Sequence, residues 1–165
     1  MRTVARLWWL AALGGLGFWL WLTLFPSPQK VVRKTLEHLA RCGSFSASQG
    51  VLARLAYAQK LADFFCTNVE INLDIRGHGN RRFLDREEIV QAAAGARSAV
   101  EAITVEFPNI AVKVSPDKQS AQAELTLEAR VSGEHDPIVE EMKFTLQKIG
   151  GQWLITRVKT VRVFS

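Results

Sequence analysis

The sequence predicts an α+β domain of element order α-α-β-α-β-β-β-β, preceded by one transmembrane helix. Three observations carry this. An uncharged stretch covers Leu7 to Phe25; two segments of helical apolar spacing follow it; and the second half alternates apolar and polar residues at strand period. The 165 residues carry a net charge of +5 and are 48% hydrophobic, which suits one folded domain and excludes a disordered chain. Two cysteines exclude a disulfide scaffold or a four-ligand zinc site.

Residues 7–25 read LWWLAALGGLGFWLWLTLF. As a helix they reach roughly 28 Å, the thickness of a bilayer's hydrocarbon core. Arg2 and Arg6 precede the stretch, Pro26-Ser27-Pro28 ends it, and Trp8, Trp9, Trp19 and Trp21 lie towards its ends, where indoles favour the interface. No A-x-A-like pattern follows for a signal peptidase. Residues 1–28 therefore read as a retained anchor with a Pro-containing linker, and 29–165 as the domain. Gly14, Gly15 and Gly17 permit close approach of a second span without forming GxxxG. Lys30, Arg33, Lys34 and Arg41 would hold the domain inside by the positive-inside count. The short basic start before an apolar run instead matches an exported signal-anchor, and the exported side is the expectation. Lys30, Arg33 and Lys34 follow the anchor directly and are expected at lipid phosphates.

Val32, Leu36, Leu39 and Ala40 predict a first helix over about 30–42. Leu52, Leu55, Ala58, Ala62 and Phe65 predict a second. Cys42 and Cys66 then fall at opposite ends of the helical pair, too far apart for a disulfide, so both are expected as free thiols. Val69, Ile71, Leu73 and Ile75 alternate with polar residues as a half-buried strand, closed by a turn at Gly77–Asn80. In Leu84-Asp85-Arg86-Glu87-Glu88-Ile89, Asp85 is an N-cap, Glu88 reaches back to its backbone, and Leu84 and Ile89 staple the helix start. That helix is expected to continue through Ala92, Ala96, Ala99 and Ile103. Val105 and Phe107 share one parity while Ile110, Val112 and Val114 share the other, which predicts a bulge at Pro108-Asn109 in one long strand. Residues 121–131 form the next strand, Met142, Phe144 and Leu146 mark another, and Gly150-Gly151 turns the chain into a last strand from Gln152 to Phe164.

This order, with the strings FLDREEIV, AQAELTLEARV and KFTLQKIGGQWLITRV, resembles the nuclear-transport-factor-2-like superfamily and its SnoaL-like and ketosteroid-isomerase-like members. The resemblance covers roughly residues 30–165. It implies a curved antiparallel sheet wrapped around helices as a cone with an open mouth. It does not imply one activity, because members include isomerases, dehydratases and transport adaptors.

An isomerase-like site needs a carboxylate base inside the cone and an oxyanion partner. The lone tyrosine is Tyr57, and Glu70, Asp74, Glu124 and Glu128 occupy the polar phase of strands, so no catalytic residue is assigned. His38, His78 and His135 lie on separate elements, and no metal or cofactor is expected. Arg76, Arg81, Arg82 and Arg86 surround one loop and read as a solvated rim or an anion contact. Few aromatics accompany the charges, so nucleic acid is not expected. Arg157 shares parity with Trp153 and Ile155 and would face the cone unless a bulge between 155 and 158 turns it out. Tyr57, Trp153 and Arg157 are the candidate ligand pocket. The reading is a non-enzymatic, single-span membrane protein that presents the domain to a small apolar ligand, a protein partner or a second copy. The alternatives are a tethered acid–base enzyme and a membrane-assembly subunit.

Overall fold

The computed structural model describes residues 27–46, 50–75 and 79–161. The expected span over 7–25 lies outside them; among the described residues no helix is long and apolar enough to cross a membrane. Helix α1 (Pro28–Gly43) starts with proline at its first position, where the missing N–H is no loss, and buries Val32, Leu36, Leu39 and Ala40 as the spacing predicts. Helix α2 (Val51–Ala62) is shorter than predicted. Phe65 does not belong to it but opens strand β1 (Phe65–Ile75), where it pairs with Ile155. The predicted turn after β1 is also corrected. Gly79–Phe83 forms strand β2, antiparallel to β1, and its polar composition suits an exposed sheet edge.

Helix α3 (Arg86–Ala99) is capped by Asp85, whose side chain accepts from the Glu88 amide at 2.8 Å. Glu88 reaches one residue further back than expected and accepts from the Leu84 amide at 2.7 Å. The helix runs through Ala92, Ala96 and Ala99 as expected but stops before Ile103. Ala96 and Ala99 are exposed, and the helix ends as Val100 turns extended, so Ile103 belongs to a strand. Ile89 and Arg97, eight residues apart and thus on one face, are the buried pair.

Strands β3 (Ile103–Glu106) and β4 (Ile110–Val114) lie along the same neighbour, β5 (Ser120–Val131). Glu106 pairs with Glu128 and Ile110 with Leu125, so three residues face two. That is the bulge the parity slip predicts, at a proline that cannot donate to the ladder. Strands β6 (Ile138–Ile149) and β7 (Gln152–Thr160) complete the sheet through a turn in which Gly150 and Gly151 have φ of 58° and 85°, as a two-residue hairpin with mirror-image turn geometry requires.

The strand order is β2-β1-β7-β6-β5-β3, with β4 also on β5. The sheet is mixed and not purely antiparallel, because β1 runs parallel to β7. Parallel neighbours need a long crossover, and residues between β1 and β7 supply it by passing through α3 and five other strands. The sheet's inner face and α1 share one core. Small residues meet large ones across it: Ala121 pairs with Leu146, and Ala123 with Phe144. Trp153 is buried in the same cluster, 7% exposed.

The chain itself closes the β3 edge and the start of β4. Phe45 and Ile103 exchange both backbone hydrogen bonds, at 2.8 and 3.0 Å. Ser44 Oγ accepts from the Val105 amide at 2.9 Å, and Arg33 Nη2 donates to the Ile110 carbonyl.

Asp85→Ala removes an acceptor for a first-turn amide and should cost about 0.5–2 kcal/mol. Trp153→Ala should cost about 3–5 kcal/mol because it leaves a core cavity. Urea melts of the full chain in detergent check both the values and their order.

Candidate functional site

The three residues expected to line a pocket do not converge. Trp153 is core. Tyr57 lies on α2, 37% exposed. Arg157 is turned outward: Leu146 pairs with Ile155 and Thr145 with Arg157, which leaves Thr156 as an extra residue. This bulge shifts the parity by one, so Val158 takes the inner face and Arg157 the outer. There Arg157 Nε donates to Glu70 Oε2 at 2.9 Å, and Arg82 stands 3.7 Å from the other carboxylate oxygen. Asn72 Nδ2 donates to that same Oε1 at 3.0 Å. The Asn72 hydrogen bond and then Arg157 hold the Glu70 carboxyl below the usual carboxylate range.

The other sequence candidates are likewise distributed. In the arginine group, Arg86 turns back to donate to the Phe65 carbonyl, Arg82 leans to Glu70, and Arg81 is exposed. Arg76 and His78 lie outside the described residues. Of the expected lipid contacts, Lys30 and Lys34 are exposed, while Arg33 is bound to the sheet edge. Arg33 there borders an open groove of about 460 Å³ with Asn109, Ile110, Glu124, Thr126 and Glu141. The groove's acids are engaged: Glu124 with Lys143 at 3.2 Å, and Glu141 with the Thr126 hydroxyl at 2.8 Å. Cys42 and Cys66 are free and half-buried, and burial pushes the Cys66 thiol up. Among the described residues no group of three or more His, Cys, Asp or Glu could hold a metal ion.

Sequence reasoning missed Arg97. It is 2% exposed, and among the described residues it is the single buried polar or charged side chain. Its Nη2 donates to the Cys42 carbonyl at 2.5 Å, at the end of α1. Its guanidinium carbon lies 5.0 Å from the Phe45 ring centre and 5.7 Å from that of Tyr57, within cation–π range of both. Burial lowers the Arg97 proton affinity, opposed by the Cys42 thiol and the Tyr57 phenol, but a guanidinium remains charged throughout the accessible range. The one sequence signal is positional: Ile89, Ala93 and Arg97 follow one another at four-residue steps from the Asp85 cap.

The arrangement separates two chemistries. The inner face of the sheet is apolar, with Met142, Phe144, Leu146, Ile155 and Val158 buried. The outer face is a polar surface where acids and bases alternate, as in the Glu70, Arg157 and Arg82 cluster and the Glu124–Lys143 pair. The apolar face is packed into the domain's own core with α1, and the polar face is open to contacts.

No protein-family model matches the sequence, and no curated protein does. Solved structures do match. A provisionally assigned scytalone dehydratase from Novosphingobium aromaticivorans is 14% identical, covering 81% of this chain and 83% of its own, with a TM-score of 0.58. Yeast UBP3-associated protein BRE5 is 14% identical, covering 84% and 100%, with a TM-score of 0.61. An NTF2-like protein of unknown function from Pseudomonas putida is 11% identical, covering 83% and 87%, with a TM-score of 0.58. The domain has the nuclear-transport-factor-2-like cone fold. At these identities the likeness reaches the fold and not the activity.

Arg97→Lys keeps the charge but loses the planar fork and the contact with two rings, and should cost about 1.5–3 kcal/mol in thermal or urea unfolding. Glu70 behaves differently. Its folded-state pKa is depressed, so its contribution is present above the unfolded carboxylate pKa and is lost as pH falls through the folded value. Asn72→Ala and Arg157→Gln should each move the Glu70 titration up, as read by carboxyl NMR.

Proposed function

We propose that this chain is a single-span membrane protein whose cone domain binds a small apolar molecule or an apolar protein segment and carries out no chemistry on it. The observation that supports this most directly is the distribution of carboxylates. Among the described residues none is buried, and Glu70, Glu124, Glu128 and Glu141 on the strands are in contact with cations or hydroxyls. A general base needs a desolvated carboxyl or a similarly poised group near the substrate. The displaced carboxyls, Glu70 and Asp117, are both pushed down, which weakens them as bases. The anchor rests on the uncharged residues 7–25 and their flanks. The name of the yeast relative, an associated protein of another component, supports a binding role for this fold.

The rival reading is a tethered acid–base enzyme acting on an apolar small molecule, and the name of the Novosphingobium relative favours it. Titrating the aspartate and glutamate carboxyls of the full chain in micelles by NMR separates the two. The binding reading expects every carboxyl to titrate well below neutrality; one titrating at about pH 6–7 overturns it.

The domain is placed on the exported side. A reporter active only outside the cytoplasm, fused after Ser165, should be active. An active cytoplasmic reporter in its place would reverse the orientation.

A further inference from the structure

We infer that the solvent face of α1 is a docking surface for anionic lipid headgroups, which lays the helix flat on the membrane. The inference rests on the reading of residues 7–25 as a membrane span. Lys30, Lys34, His38 and Arg41 follow one another at steps of four, four and three residues and therefore share one helix face. All four are exposed, and the face they share is opposite the one that buries Val32, Leu36, Leu39 and Ala40. Glu37 is the lone acid of the helix. No ion pair involves any of the four among the described residues, whereas cations on the outer sheet face stand beside carboxylates. Arg33, which the sequence grouped with Lys30 and Lys34, belongs to the other surface: its guanidinium donates to the Ile110 carbonyl.

The helix's own electrostatics account for Arg41, which lies in the last turn and four residues after Glu37, but not for Lys30 at the start. A helix start favours acids, because its unpaired amides carry partial positive charge. Helix α3 obeys this with Glu87 and Glu88 in its first turn, but α1 has no acid there and carries Lys30. An external anionic surface supplies the missing complement.

Geometry selects a membrane as that surface. Pro26 and Ser27 alone separate Phe25, the last uncharged residue, from Pro28, the first helical one. Extended, they span about 7 Å, so α1 begins at headgroup depth. Lying flat, the helix keeps all four side chains within a Debye length of the phosphates. Standing upright, it would lift Arg41 about 16 Å above Lys30 and out of reach.

The test uses the full chain in vesicles of phosphatidylcholine, with or without about 30% phosphatidylglycerol, labelled by an amine-acetylating reagent and read by mass spectrometry. Lys60 and Lys159, exposed on α2 and β7, serve as internal references. Lys30 and Lys34 should acetylate about threefold more slowly with phosphatidylglycerol, and about 0.5 M salt should erase the difference. Lys34→Gln, His38→Gln and Arg41→Gln together should return Lys30 to its rate in phosphatidylcholine. Equal rates in the two lipids overturn the inference while the span stands, provided the chain stays with the vesicles through an alkaline wash. Equal slowing in both lipids also overturns it, because it points to a protein covering the face. A chain that washes off refutes the span and the docking surface together.

Discussion

The buried guanidinium of Arg97 is the contact on which the arrangement of the helices depends. It reaches from α3 to the Cys42 carbonyl at the end of α1, within cation–π range of Phe45 and Tyr57. The residue just past α1 that it packs on, Phe45, is also the one that exchanges backbone bonds with Ile103. One side chain thus links all three helices to the closed edge of the sheet. A buried charge that loses its contacts is costly, so this link tolerates few alternatives. It also explains why α3 must present its Ile89 face inward: the Asp85 cap sets where the helix starts, and about three turns later the arginine arrives at α1.

Much of this fold is legible in the sequence, and the failures have physical causes. The core positions of α1, the Asp85 cap, the bulge at Pro108-Asn109 and the glycine hairpin all follow from local rules, and each is found. Strand β2 was invisible because Gly79-Asn80-Arg81-Arg82 has the composition of a turn, and only an exposed edge makes such a strand tenable. The parallel pairing of β1 with β7 is a long-range choice that no local pattern encodes. Arg97 is not legible from local pattern, because a charged residue on a helix is ordinarily solvated, and only the tertiary fold brings two aromatic rings and a helix end to receive it.

The candidate pocket shows how much hangs on a single residue. Arg157 has the parity of Trp153 and Ile155 in the chain but not in the sheet, because Thr156 is accommodated without a partner and its hydroxyl donates to the Thr145 carbonyl at 3.2 Å. The same bulge completes the core with Val158 and gives Glu70 its cation. Parity arguments along a strand hold only as far as the next bulge, and here the bulge decides whether the inner surface is apolar or charged.

The closed edge has a consequence for how copies of this domain can meet. Edge-to-edge strand addition propagates into a fibre only when each copy offers two unsatisfied edges. Here Ser44, Phe45 and Arg33 occupy β3 and the start of β4. Among the described residues β2 is the remaining end of the sheet, five residues long, with Arg81 and Arg82 repelling a like neighbour. Joining through β2 alone therefore makes a pair, because each copy has only one such strand.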